Sequence, residues 1–157
     1  MERLEIIAAI RSLPNELDAL CEGLSYDELR QRPSPEEWSI LEVYCHLRDF
    51  AQIEGTRIQR LVEEENPTLP PYDQEELARE RDYQGDDPLR VRIAVRAYWG
   101  GLAYQLEQLS EEQWRRGGRH PKFGPVTIHS RAERMAEHAR LHLEQVQALR
   151  ERLAAGA

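Results

Sequence analysis

The chain has 157 residues, 32% of them charged, and a formal net charge of −8 at pH 7. This negative charge argues against general nucleic-acid binding, because it repels phosphate backbones. No apolar run approaches the length of a membrane span, and the start of the chain is unlike a secretory signal. The two cysteines, Cys21 and Cys45, fit a reducing compartment. We therefore expect one cytoplasmic domain over residues 1–157, with no nucleic-acid or membrane partner.

Apolar residues recur at helical spacing in the N-terminal half. A first helix is predicted over residues 3–22. Its seam is formed by Ile6, Ile10, Leu13, Leu17, Leu20 and Leu24. A second helix is predicted over residues 35–64, because Ser34 and Glu37 match a capping box and Pro35 suits a first helical position. Its apolar stripe is formed by Ile40, Val43, Leu47, Ala51, Ile58 and Leu61.

Two further helices are predicted in the C-terminal half. A proline-rich connection over residues 65–87, with a short helix at residues 75–82, leads to a third helix over residues 88–109. A second long loop, residues 110–127, precedes a fourth helix over residues 128–155. Four amphipathic helices indicate an all-α four-helix bundle. The long connections after the second and third helices permit a crossover in place of a tight reversal.

The fourth helix carries two histidines one turn apart. His138 and His142 project from the same face, and His142 lies within the apolar stripe. Burying an imidazole without partners is costly, so a metal ion is the leading candidate to satisfy both rings. His46, at the edge of the second helix's stripe, is the best-placed third ligand. Three imidazoles suit zinc, nickel or iron, although a His-x3-His pair also occurs by chance on helix surfaces.

Several short motifs together resemble the DinB-like (YfiT-type) metalloenzyme superfamily. They are Leu24-Ser25, Arg32-Pro33, Trp38-Ser39, His46-Leu47-x-Asp49, Phe123-Gly124-Pro125 and Ala136-Glu137-His138-x3-His142. The resemblance implies a four-helix bundle with variant up-and-down connectivity, often dimeric. It also implies a divalent metal held by His46, His138 and His142. Characterised relatives of this kind include thiol S-transferases that use bacillithiol or mycothiol, thiol-dependent isomerases and hydrolase-like members.

Other polar residues have two interpretations each. Asp49, one turn after the histidine of the second helix, either orients that ring or forms a salt bridge. Glu54, on the apolar stripe, is either a general base or, as we favour, the buried partner of an arginine on a neighbouring helix. Cys45 is expected to pack as an inert thiol. Arg119 and His120 belong to a basic loop that either binds an anionic substrate or thiol cofactor, or is solvated or contacts an acidic partner.

Two functions of different class follow. The first is a divalent-metal-dependent thiol S-transferase or hydrolase that acts on a small electrophilic substrate, with a low-molecular-weight thiol as co-substrate in the transferase. The second is a non-catalytic bundle in which the metal is structural, or which binds a small ligand or partner. A homodimer is expected in either case. A metal position that faces a pocket favours the enzyme, and one closed by protein favours the structural role.

Overall fold

Four long helices form a bundle in the computed structural model of the protein, which describes residues 1–156. In chain order the elements are α1 (Arg3–Leu20), α2 (Tyr26–Arg30), α3 (Ile40–Glu63), α4 (Gln74–Glu80), α5 (Pro88–Glu107), α6 (Glu111–Trp114), β1 (Gly117–His120), β2 (Gly124–Thr127) and α7 (Ile128–Ala155). A single 3-10 turn, Tyr83–Gly85, follows α4. The four predicted helices correspond to α1, α3, α5 and α7. The predicted bundle and its long connections are confirmed.

The bundle departs from simple up-and-down order. α1 packs against α5 and α7, and α3 packs against the same two helices. α1 and α3 therefore occupy opposite corners, and so do α5 and α7. The connections from α1 to α3 and from α5 to α7 consequently run across the bundle diagonal, which requires the long segments that the sequence provides.

The apolar stripes of the four long helices face inward. Their buried side chains include Ile6, Ile10, Leu13, Leu17, Val43, Leu47, Ile58, Leu61, Val91, Val95, Leu102, Leu106, Ala132, Met135 and Val146. Trp99 of α5 is also fully buried, and its indole Nε1–H donates to the carbonyl oxygen of Leu47 at 2.9 Å. No helix within residues 1–156 has an apolar stretch long enough to cross a bilayer.

The predicted start of the second long helix is wrong by five residues. α3 begins at Ile40, and its cap is Ser39 rather than Ser34. The Ser39 hydroxyl accepts from the amide of Glu42 at 3.2 Å, and the Ser39 amide donates to the Glu42 carboxylate at 3.0 Å. Arg32 adds a two-pronged ion pair to the same carboxylate, at 2.7 and 2.8 Å. Both serines match a capping box locally, but this buried network forms around Ser39.

The second long connection contains regular secondary structure, although its sequence predicts a loop. Residues 110–127 form α6 and the antiparallel hairpin of β1 and β2. The amide of Arg119 donates to the carbonyl of Pro67, and the amide of Leu69 donates to the carbonyl of Arg119, each at 2.8 Å. The hairpin therefore pairs with the proline-rich connection that follows α3. This pairing places both connections beside a cavity that His138 borders.

Candidate metal centre

Three imidazoles from two helices meet inside the bundle. The Nε2 atoms of His46 on α3 and His138 on α7 are 2.8 Å apart, and those of His138 and His142 are 3.0 Å apart. His46 is buried, and the other two rings are half-buried. Because α3 and α7 are neighbours, two histidines one turn apart on α7 can face the single ring from α3. The structure thus brings together the three histidines that the sequence singled out.

Aromatic side chains of α3 and of the segment before it pack against the cluster. Phe50, one turn beyond His46, stacks on His138 with ring centroids 4.1 Å apart and an interplanar angle of 16°. Trp38 lies against His46, with centroids 5.3 Å apart. These contacts restrict the rotamers of both imidazoles, so the cluster is held in position by packing as well as by its own contacts.

Gln145 orients the third ring. Its side-chain Oε1 lies 2.7 Å from Nδ1 of His142, one turn earlier on α7. An amide oxygen is an acceptor, so Nδ1 of His142 carries the ring proton and donates it to Gln145. The Nε2 lone pair of His142 is then free to face the other two histidines. This is the arrangement that metal-binding histidines adopt, with the second nitrogen held by a hydrogen-bond acceptor.

The three imidazoles are neutral at pH 7. Burial, together with the charges of His142 and His138, lowers the pKa of His46 to about 2. Burial, followed by the charges of His142 and Arg134, lowers the pKa of His138 to about 3. Burial also lowers the pKa of His142, although its hydrogen bond with Gln145 acts in the opposite direction. Neutral imidazole is the form that binds a metal ion.

The donor set fits a divalent metal. Nε2 of His138 approaches two other ring nitrogens, but it can donate a proton to only one of them. Two nitrogens bound tetrahedrally to zinc at about 2.0–2.1 Å lie roughly 3.3 Å apart, close to the separations observed here. Within residues 1–156 the group of potential ligands consists of His46, His138 and His142, without a carboxylate or thiol.

Two of the three histidines border cavities. His138 lines a cavity of about 280 Å³, and His142 lines another of about 370 Å³. Gln74, at the start of α4, lines both. A larger groove of about 600 Å³ between α1 and α7 is bordered by none of the three histidines. The two smaller cavities are therefore the ones through which a small molecule can approach the imidazoles.

Comparison with known proteins identifies the family. Residues 9–146 match the sequence model of the DinB superfamily. The chain belongs to this superfamily. Three curated relatives of this DinB-superfamily protein are named as candidate metal-dependent hydrolases. They come from Oceanobacillus iheyensis (28% identical over 149 residues, 92% of this chain and 84% of the relative), Bacillus mycoides (29% over 149 residues, 94% and 84%) and Geobacillus kaustophilus (29% over 152 residues, 94% and 84%).

Solved structures of DinB-like proteins share the fold. YfiT from Bacillus subtilis, described as a probable metal-dependent hydrolase with an unusual four-helix bundle topology, superposes with a TM-score of 0.89. It is 21% identical, and the match covers 98% of this chain and 88% of YfiT. The DinB-like protein YjoA, also from Bacillus subtilis, gives a TM-score of 0.66 at 18% identity, covering 95% and 92% of the two chains. At these identities the likeness shows the fold alone.

Asp49 does not orient the His46 ring in this superfamily member. Its buried carboxylate accepts a hydrogen bond from the Tyr83 hydroxyl and forms ion pairs with Arg48 at 3.0 Å and Arg81 at 2.9 Å. Tyr83 and Arg81 both belong to the connection between α3 and α5. The carboxylate therefore ties that connection to α3, which corresponds to the salt-bridge alternative. Periodicity could not show this, because it does not reveal which loop covers a helix face.

Glu54 forms the buried ion pair that its position on the apolar stripe predicts. Its Oε1 accepts from Arg57, one turn later on α3, at 3.0 Å and from Arg131 of α7 at 2.5 Å.

Cys45 also packs as expected. It is fully buried, and burial raises the pKa of its thiol to about 12, so the thiol is inert at neutral pH.

The two candidate substrate-binding residues of the basic loop, Arg119 and His120, differ in their position relative to the cavity. His120 borders the cavity beside His138, whereas the described residues lining that cavity do not include Arg119. The Arg119 side chain is exposed, and its backbone makes the pairing with the proline-rich connection. His120 accepts from the amide of Lys122 at Nδ1, at 3.0 Å. Burial and the charges of Arg131 and Arg57 lower the pKa of His120.

Several residues at the site were not predicted from the sequence, among them Gln145, Arg131 and Tyr72. Gln145 is three residues after His142, a spacing that places the two side chains on one helix face and could have been noticed. Arg131 lies about two turns before His138 on α7, and only the fold shows that it meets Glu54. Tyr72 borders the cavity from the proline-rich connection, where no periodic pattern gives a signal.

Proposed function

We propose that this protein is a divalent-metal-dependent hydrolase of small molecules. The observation that carries the proposal is the convergence of three neutral imidazole nitrogens, from His46, His138 and His142, at a point bordered by cavities. The names of the curated relatives support the same reaction class. The described group offers three donors, the number typical of catalytic zinc sites, whereas structural zinc sites use four, which favours an enzyme over a purely structural metal.

The protein contributes charge, orientation and shape to this chemistry. A divalent ion held by three imidazoles supplies Lewis acidity toward a carbonyl group and toward water. His46, His138 and His142 are neutral ligands, so they leave the positive charge of an ion uncompensated. Gln145 holds His142 in the tautomer that binds through Nε2. Phe50 and Trp38 cover two of the rings with apolar surface, which limits water to the cavity sides of the site.

Thiol transfer to a small electrophile is the second candidate. Two cavities adjoin different histidines of the same cluster, which provides separate positions for two reactants. In such a reaction the sulfur of a low-molecular-weight thiolate forms a bond to the electrophilic carbon. The bond to the leaving group breaks, the leaving group takes the electron pair, and the thiol proton passes to solvent. Hydrolysis requires only one organic reactant.

Metal content is the first test of the proposal. Protein purified without an affinity tag, assayed by ICP-MS before and after reconstitution with zinc, nickel or iron, should carry about one ion per chain. His142→Ala should lose the ion, whereas His129→Ala, on the same helix outside the cluster, should retain it. A wild-type protein that binds no metal after reconstitution would overturn the proposal.

Product analysis separates the two reactions. The reconstituted protein is incubated with ester, amide and alkyl-halide substrates, with and without bacillithiol or mycothiol, and the products are identified by mass spectrometry. Water-derived products that require His142 and need no thiol support the hydrolase. Thioether products that appear only with thiol support the transferase. A stoichiometric metal with neither product would assign the metal a structural role.

A further inference from the structure

We propose that the cavity beside His138 contains a carboxylate-binding site that selects anionic substrates. The consequence for catalysis rests on the proposed hydrolase function, whereas the binding of a carboxylate does not. The proposal depends on the charges that surround this cavity, on their burial and on the position of His138 in the same wall.

The cavity is positively charged in a protein of negative net charge. Its lining contains four cationic side chains, from Arg57, Arg131, Arg134 and Lys122, and Glu54 is the one carboxylate among the described residues that line it. The formal charge of the lining is therefore +3, whereas the whole chain carries −8. Such a concentration of one sign attracts ligands of the opposite sign and raises their local concentration.

The innermost charges are buried and incompletely compensated. Glu54, Arg57 and Arg131 are each at most 4% exposed. One carboxylate pairs with two guanidinium groups, so one positive charge is left over in the interior. Within the described chain the Nε atoms of both arginines, and Oε2 of Glu54, have no hydrogen-bond partner. Leaving a charge buried and unpaired is costly, and a bound anion would compensate the surplus.

The Phe123 ring lies close to three of the cationic side chains that line this cavity. The guanidinium carbons of Arg131 and Arg134 lie 6.0 and 5.2 Å from its ring centroid, and the ammonium of Lys122 lies 5.6 Å away. Lys122 and Arg134 are exposed, whereas Arg131 is buried. The cations thus extend from the surface inward, an arrangement suited to guiding a negatively charged ligand to the interior.

The dimensions favour a small carboxylate. A volume of about 280 Å³ corresponds to roughly nine water-sized groups, at about 30 Å³ for each. Phe50 and Tyr72 give the lining an apolar part between its charged residues. A guanidinium group matches a carboxylate in shape and in hydrogen-bonding pattern. We therefore place the carboxylate of a substrate at Arg57 and Arg131, and its reactive bond toward His138.

The test compares butyrate with butyramide, its neutral analogue, by NMR titration of metal-free and zinc-loaded protein. Butyrate should bind at least tenfold more tightly than butyramide in both forms, because a charge-assisted hydrogen bond of about 1.5–3 kcal/mol corresponds to roughly a 10- to 100-fold change in affinity. Equal affinities for the two ligands would overturn the proposal. Binding of butyrate only to the zinc-loaded protein would also overturn it, since the metal would then be the anion's partner.

Variants of opposite charge separate a binding role from a structural one. Arg131→Gln should weaken butyrate binding about tenfold, and Glu54→Gln should strengthen it, although both disrupt the same buried ion pair. Lys122→Gln, on the surface, should weaken binding a few-fold without affecting folding. Arg140 pairs with Glu144 away from the cavity, so Arg140→Gln should leave butyrate binding unchanged. Unchanged affinity in both Arg131→Gln and Lys122→Gln would contradict the site.

Activity measurements distinguish the two proposals. If the zinc-loaded protein hydrolyses a carboxylate-bearing ester and the analogue in which an amide replaces that carboxylate with equal kcat/KM, the selection of anionic substrates is wrong and the hydrolase stands. If butyrate binds in a manner that requires Arg131 but no ester or amide is hydrolysed, the anion site stands and the hydrolase is wrong. If both hold, kcat/KM for the carboxylate-bearing ester should fall in Arg131→Gln while that for the neutral substrate is retained.

Discussion

Gln145 controls the third imidazole through one hydrogen bond of 2.7 Å to Nδ1 of His142. Replacing it by leucine keeps a similar volume but removes the acceptor, so the ring can change tautomer and rotate. We expect Gln145→Leu to weaken zinc binding about 10- to 100-fold, the usual effect of losing such a partner. Competition with a fluorescent zinc chelator measures this. Gln147→Leu, an exposed position two residues on, is the control; equal zinc affinity in the two variants would contradict the role of Gln145.

The histidine cluster also predicts how stability depends on pH. In the metal-free protein the pKa of His46 is about 2, far below its ordinary value of about 6.5 in an unfolded chain. Below pH 6.5 the unfolded state therefore takes up a proton that the folded state does not. The free energy of unfolding should fall as the pH decreases from 6.5, by up to about 1.4 kcal/mol per pH unit for each such histidine.

Urea unfolding in a chelator between pH 7.5 and 5 measures this dependence. His46→Gln should show a shallower decline than the wild-type protein, because one titrating group has been removed from the cluster. His129→Gln, outside the cluster, should follow the wild-type slope. A slope that is the same in His46→Gln and in the wild type would show that His46 does not contribute.

The hairpin of β1 and β2 packs closely against α3 and the proline-rich connection at Gly118. A Cβ placed on Gly118 would lie 2.6 Å from Cδ2 of Leu61 and 2.7 Å from the carbonyl oxygen of Pro67. The carbonyl belongs to the backbone that pairs with the hairpin, so it cannot move without breaking that pairing. Gly118→Ala should therefore destabilise the protein by about 1–3 kcal/mol, as other overpacked substitutions do.

Gly100 of α5 provides the matched control. A Cβ there meets no atom within 4 Å, and the position is helical. Gly100→Ala should be neutral or stabilise the protein by up to about 1 kcal/mol through helix propensity. Both free energies of unfolding are measured in urea. Equal effects of the two substitutions would contradict the close contact at Gly118.

The histidine cluster joins two helices of the whole molecule, because His46 lies on α3 and the other two histidines lie on α7. An ion that binds the folded state but not the unfolded chain stabilises the fold by mass action. At 100 times its dissociation constant, zinc should raise the free energy of unfolding by about 2.7 kcal/mol. Chelator should reverse the increase, and His142→Ala should not show it. An equal increase in that variant would place the zinc elsewhere.

For the whole molecule, the homodimer expected from the family resemblance stays a prediction. Sedimentation equilibrium distinguishes one chain from two. A mass of twice the chain, independent of added metal, is the expected result. A single-chain mass at micromolar concentration would contradict the dimer.

The sequence by itself determined the local features. Helical periodicity placed the apolar stripes of the four long helices and put His138 and His142 on one face, because both follow from the fixed rotation per residue. The long connections were also readable, since prolines and polar runs interrupt the periodic pattern. The buried ion pair of Glu54 was anticipated for a similar reason: a carboxylate on an apolar stripe requires a charged partner.

Only the tertiary structure decided which elements meet. Ser34 and Ser39 both match a capping box, and the buried contact of Glu42 with Arg32 distinguishes them. Asp49 turned toward the connection between α3 and α5, and Arg131 toward Glu54, because packing brought those partners close. Periodicity specifies the direction of a side chain about its own helix axis. It does not specify the neighbouring helix, which depends on how all four apolar stripes are buried together.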